Sequence, residues 1–98
     1  MEQVKVINNP EAGRFEVQLN GQTAVLDYSI SNKSIYYTHT TVPSALEGRG
    51  IGSALAKAGM EFARENGYKV VPICSFIRTY MDRHPEVSDL RETGDTIC

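Results

Sequence analysis

Glu47-Gly48-Arg49-Gly50-Ile51-Gly52-Ser53 is the stretch of this chain whose residue types and spacing point most directly to chemistry. Glycines alternate with other residues, and a helix-forming run, Ala54-Leu55-Ala56, follows at once. Ahead of it, residues 35–42 are rich in β-branched and aromatic side chains, the composition of a strand. A strand, a glycine turn and a helix start together present backbone N–H groups to a phosphate. Alternate glycines also remove the Cβ atoms that would hold a bulky anion off the backbone. The pattern predicts a pyrophosphate ligand; a tight turn leading into a helix, with no ligand, is the plainer alternative.

Two further side chains stand where they could react. Cys74 falls at the end of an expected buried strand, residues 68–74, directly before a second expected helix. A helix N-terminus favours thiolate over thiol, which makes a cysteine nucleophilic. The competing reading is a buried structural cysteine. His39 lies on the strand before the glycine turn and is a candidate general base toward an amine or toward Cys74. Its alternative is an exposed strand residue among Thr38, Thr40 and Thr41. Cys98, the final residue, is read as a bystander, and no metal-type cysteine pair occurs, so no metal is expected.

The elements that must position these residues fit one domain. The chain has 98 residues, enough for one small core with a stability on the order of 5 kcal/mol. A net charge of −2 argues against nucleic acid or an anionic membrane as partner. No run approaches the ~20 apolar residues of a membrane span. The first residues lack the features of a signal peptide, so a cytoplasmic location is expected.

Residues 4–7 alternate weakly as a short strand, and residues 8–13 are turn-rich. Phe15, Val17 and Leu19 alternate with polar residues as a half-buried strand. Asn20-Gly21 is a hairpin turn, and Ala24, Leu26, Tyr28 and Ile30 mark the next strand. A turn at residues 31–34 leads into the strand of residues 35–42, completing an antiparallel meander. Ile51, Leu55, Ala58 and Phe62 then fall at helical spacing, with Gly67 as C-cap. The strand of residues 68–74 should lie parallel to that of 35–42, joined through the helix as a βαβ unit. A helix over residues 76–83, with Ser75 as N-cap, ends at His84-Pro85. One more turn is expected over residues 87–91. The domain is therefore drawn over residues 1–91, with a flexible tail at 92–98.

Two common phosphate motifs fail. No Lys-Ser or Lys-Thr follows the glycines as in a P-loop, and Ser53 stands where a dinucleotide fingerprint needs its third glycine. The residues instead resemble the GNAT acetyltransferase superfamily, whose acetyl-CoA signature is Q/R-x-x-G-x-G/A at the start of a helix after a long strand. Residues 47–52 match at Gly50 and Gly52 and depart at Glu47. The closer resemblance is to the family's very small single-domain members. It rests on His39-Thr40-Thr41-Val42-Pro43, the glycine turn, Val71-Pro72-Ile73-Cys74-Ser75-Phe76, Tyr80 and Arg83-His84-Pro85, and spans residues 17–87.

The resemblance implies an α+β, GNAT-like fold in which the parallel strand pair splays apart to admit a thioester. It implies acetyl-CoA or CoA as cosubstrate and transfer of the acetyl group to an amine. Backbone groups of Gly48, Arg49, Gly50, Ile51, Gly52 and Ser53 would cradle the pyrophosphate, and Val42 would bind the pantetheine arm. Glu47 would repel phosphate, and Arg49, Arg78 and Arg83 would offset it. Cys74 would sit by the thioester carbonyl. Tyr80 matches a family tyrosine that protonates the leaving thiolate, although the Gly-Phe that follows it in the family is absent here; core packing is the alternative use. Larger members place two helices between the first two strands to hold the acceptor, and this chain has only a short turn there. The acceptor, an amine or a protein, would meet an open side or one completed by a partner chain. A CoA-binding module that works by protein contact, without catalysis, is the alternative function.

Overall fold

Alternating apolar residues build the first half of the fold. The computed structural model describes residues 4–92. It begins with three antiparallel pairings among β1 (Ile7–Asn9), β2 (Arg14–Leu19), β3 (Gln22–Ser31) and β4 (Ser34–Thr41). Phe15, Val17, Ala24, Leu26, Tyr28, Ile35 and Tyr37 point one way and are buried, as their period-two spacing requires. Asn20 and Gly21 both take positive φ, 55° and 76°, the conformation whose twist suits a two-residue hairpin. The first strand is displaced from the expected residues 4–7. Asn8 and Asn9 pair with Phe15 and Arg14, and the turn is confined to residues 10–13. A side-chain bond helps hold Asn8 in place: the Tyr28 hydroxyl donates to its Oδ1 at 2.7 Å.

One irregularity in this meander governs the site. Tyr28 pairs with Tyr37, but Asp27 pairs with His39, so Thr38 is an extra residue in β4. Such a bulge reverses the alternation beyond it. Thr40 pairs with buried Leu26 and shares its face, whereas His39 shares the opposite face with Asp27.

The second half turns the sheet into a mixed one. α1 (Ile51–Asn66) crosses over and returns the chain as β5 (Lys69–Pro72), which pairs parallel with β4. α1 buries Ile51, Leu55, Ala56, Gly59, Met60 and Ala63 on the sheet. Gly67 caps it in the left-handed region at φ 72°, with the Tyr68 N–H closing on the Ala63 carbonyl at 2.9 Å. β5 is shorter than the expected residues 68–74. Pro72 has no N–H to give a ladder, and the Ile73 N–H turns back to the Val71 carbonyl at 3.1 Å. α2 (Ser75–Arg83) follows, then a 3-10 turn at Pro85–Leu90. Arg91 bridges to Val70 along the free edge of β5. Glu92, the first residue of the expected tail, is held there too: its N–H donates to the Val70 carbonyl at 2.8 Å, and its carboxylate accepts from Ser34 at 2.7 Å. The rest of that tail lies outside the described residues.

In space the strands keep their chain order, β1-β2-β3-β4-β5. Both helices bury their apolar residues in one cluster against one face of the sheet. Among the described residues no helix lies on the other face, since a turn alone joins β1 to β2. No described helix is long and apolar enough to cross a membrane.

The tightest joint of the core lies where Tyr37 meets α1. Its hydroxyl donates to the Gly59 carbonyl at 2.7 Å, and burial pushes its phenol pKa far above the usual value. A Cβ at position 59 would sit 2.9 Å from that oxygen and 3.2 Å from Leu26 Cδ2. Gly59→Ala should therefore destabilise the fold by about 1–3 kcal/mol, despite alanine's better helix propensity. Urea unfolding should show a lower midpoint at unchanged slope; an unchanged or higher midpoint would mean that the joint has slack.

Candidate functional site

The glycine turn does what its spacing predicts locally. Gly48 and Gly50 take positive φ, 84° and 72°, and Gly50 is the N-cap of α1. A glycine cap has no side chain to occupy the first amides of the helix. The first helical bond, from the Ala54 N–H to the Gly50 carbonyl at 3.0 Å, leaves the amides of Ile51, Gly52 and Ser53 ahead of it. No acidic residue lies in this first turn. The helix therefore begins with donors and a positive dipole end facing outward. A Cβ at Gly48 or Gly50 would meet nothing within 4 Å, so the absence of side chains there opens space and relieves no clash. The residues fit an extended phosphate.

A cavity of about 450 Å³ adjoins this turn. Thr40, Val42, Leu46, Glu47, Gly48, Gly50, Ile51, Gly52, Ser53 and Phe76 line it. Six of the seven residues assigned to CoA from the sequence are among them; Arg49 is exposed on the turn outside the lining. Val42 stands just past the end of β4. Arg78, expected to offset Glu47, instead donates to the Ile73 carbonyl at 3.0 Å and, at a longer 3.4 Å, to that of Pro72.

The cavity reaches the place where β4 and β5 part. Their pairing runs from Ser34 with Lys69 to Tyr37 with Pro72. The Cys74 N–H then donates to the Tyr37 carbonyl at 2.9 Å. Beyond it Thr38–Thr41 have no β5 partner, which is the expected splay. Cys74, and not Ser75, is the N-cap of α2. Its Sγ lies 3.2 Å from the hydroxyl of Thr40, a cavity-lining residue. Partial burial works to raise the thiol pKa. The Thr40 hydroxyl and the nearby amides of Ile77, Phe76 and Thr40 outweigh it and hold Cys74 below the ordinary thiol range. None of these amides closes a capping hydrogen bond to the sulfur.

The other two expected catalytic residues are not brought to this thiol. His39 is exposed on the far face of the sheet, opposite Asp27, because the extra residue Thr38 turns it away from Thr40 and Cys74. Tyr80 lines a separate cavity of about 350 Å³ with Lys57, Met60, Glu61, Arg64, His84, Glu86 and Val87. Its ring stacks on His84 at 3.9 Å, and the His84 ring nitrogen Nδ1 meets the Tyr80 carbonyl at 2.7 Å. Burial, with Glu86 and Glu61 nearby, raises the Tyr80 phenol pKa. The cavity-lining residues to which the sequence reading gave no site role are Thr40, Leu46 and Phe76. Counting alternation forward from Tyr37 puts Thr40 on the wrong face, so only the bulge could have revealed it. Among the described residues no group of three or more His, Cys, Asp or Glu is placed to hold a metal ion.

Comparison with known proteins agrees with this geometry. Residues 14–90 match the family described as GCN5-related N-acetyl-transferase. Protein NATD1 of Xenopus tropicalis is 38% identical over 85 residues, covering 84% of this chain and 78% of that protein. Protein NATD1 of Homo sapiens is also 38% identical, covering 84% of this chain and 75% of its own length. A GCN5-like protein from Staphylococcus aureus, solved by NMR in solution, superposes with a TM-score of 0.72 at 28% identity, covering 94% of this chain and 91% of its own.

The thiol environment makes a direct prediction. In a Cys98→Ser background, alkylation of Cys74 should accelerate with rising pH through a midpoint below the ~8.5 of a free cysteine. Thr40→Val removes the hydroxyl that favours the thiolate, so it should move that midpoint upward. A wild-type midpoint at or above the free value would contradict the environment described here.

Proposed function

From the premise that this chain belongs to the GCN5-related N-acetyltransferase family, we propose that it binds acetyl-CoA in the cavity at the glycine turn and transfers the acetyl group to an amine, with Cys74 as the acetyl carrier. The observation that carries this reading is the continuity of the cavity, from the N-terminus of α1 to Thr40 at the parted strands, with the Cys74 thiol against that threonine. The phosphates of CoA would lie on the amides of residues 48–53, and the arm would run past Val42 toward the splay.

The chemistry divides into two displacements. The Cys74 thiolate attacks the thioester carbonyl carbon; the new carbon–sulfur bond forms as the bond to the CoA sulfur breaks, and CoA leaves as a thiolate that takes a proton from solvent. The acceptor amine, in its neutral form, then attacks the acetyl carbon on Cys74. The carbon–nitrogen bond forms, the Cys74 thiolate departs, and the ammonium proton goes to water. Helix α2 supports both halves, because negative charge on Sγ develops at its N-terminus. The sheet face that carries no helix among the described residues supports an acceptor that arrives from the side opposite α1. His39 stands on that face, so any base role it has is toward the amine.

A second reading keeps binding and drops transfer. It draws on the separation of His39 and Tyr80 from the thiol, which leaves neither expected proton-transfer residue beside it. Mass spectrometry of the chain mixed with acetyl-CoA separates the two. Transfer through Cys74 predicts one added acetyl mass on that residue, lost in Cys74→Ala and in Gly50→Glu, whose side chain would fill the phosphate space. CoA binding without any acetyl adduct would favour the binding module. A chain that binds no CoA at millimolar concentration would overturn both readings.

A further inference from the structure

The three glycines of the turn do not share one task. Gly48 and Gly50 face open space, but a Cβ at Gly52 would lie 2.9 Å from Phe76 Cζ and within 3.5 Å of both Cε atoms of the ring. Gly52 has ordinary helical backbone, so no positive φ requires a glycine there. What its bare backbone admits is the far end of an aromatic side chain from α2. Phe76 lies two residues after Cys74, lines the cavity, and is 39% exposed, a high value for a phenyl ring. Such a ring has only partial packing to lose when it swings, while the glycine beneath it fixes where it rests.

We propose that Phe76, seated on Gly52, is the wall that clamps the thioester arm of the ligand, and that the missing side chain of Gly52 serves this ring, while its amide still faces the phosphates. The inference rests on the reading that CoA occupies this cavity, and it assigns that ligand's parts. The phosphates depend on Gly48 and Gly50, where added side chains would enter the cavity. The arm depends on the Phe76 ring, held between the first turn of α1 and the first turn of α2. Substitution at position 52 would push the ring off its seat and into the space the arm needs. The fold would be spared, since the contact is with the tip of a half-exposed side chain.

A double-mutant cycle tests this with calorimetry on the wild-type chain, Gly52→Ala, Phe76→Ala and the double variant. Two probes are used: CoA, and 3′-phosphoadenosine 5′-diphosphate, which carries the phosphates without the arm. Each single change should weaken CoA about tenfold, the size expected for losing an aromatic contact of this kind. The double variant should bind CoA as Phe76→Ala does, with no added cost from position 52. All four proteins should bind the armless nucleotide alike. If Gly52→Ala costs the same in both backgrounds, or weakens the armless nucleotide as well, Gly52 acts through the phosphates and the seat is wrong. If the wild-type chain binds neither probe, the CoA reading itself falls and takes the seat with it.

Discussion

The parallel pairing of β4 with β5 stops at Tyr37 and Pro72, and the Cys74 N–H closes it on the Tyr37 carbonyl. Two features of the site follow from where that pairing ends. The strand end starts α2 at Cys74, which puts a thiol at a helix N-terminus. The same end leaves Thr38–Thr41 without a β5 neighbour, which opens the sheet beside the cavity. The joint is anchored from behind. Tyr37 is fully buried and reaches through the core to the Gly59 carbonyl, tying the last paired residue of β4 to the middle of α1. α1 in turn begins at the glycine turn, so the glycine-turn end and the thiol end of the site are referred to the same buried tyrosine.

The bulge at Thr38 decides which side chains share the site. Without it, His39 would face the helices and Thr40 the open side. With it, Thr40 joins Val42 on the cavity and touches Cys74, while His39 stands back to back with them beside Asp27. The sheet thus separates two surfaces at one point of one strand. One is covered by α1 and α2 and holds the cavity in which CoA is proposed to bind. The other carries no described helix and is the face proposed for the acceptor.

Much of this was legible in the sequence because the signals were local. Asn20-Gly21 dictates its own turn, and the run from Ile51 to Gly67 carries both its periodicity and its left-handed cap. The parallel relation of β4 and β5 followed from the helix between them. The failures are equally physical. A bulge has no composition of its own, so the sequence left His39 open between a general base and an exposed strand residue, and the structure gives it the exposed position. Ser75 is the commoner capping residue type, yet the bond from Cys74 N–H to Tyr37 fixes the helix start one residue earlier. Tyr80 has the right type on the right helix, but its stacking on His84 and its place beside Met60 draw it to the other cavity. The tertiary role of Gly52 was hidden because its motif position already offered a reason for a glycine.

The central claim is that CoA occupies the cavity between the glycine turn and the parted strands. The most direct measurement is a titration of the isotopically labelled chain with CoA, followed by the NMR shifts of its backbone amides. The account predicts saturable changes at Gly48, Gly50, Ile51, Gly52 and Ser53, continuing to Thr40, Val42 and Phe76, with Tyr80, His84 and Val87 left in place. Shifts concentrated at the second cavity, or none at the glycine turn while binding is observed, would contradict it.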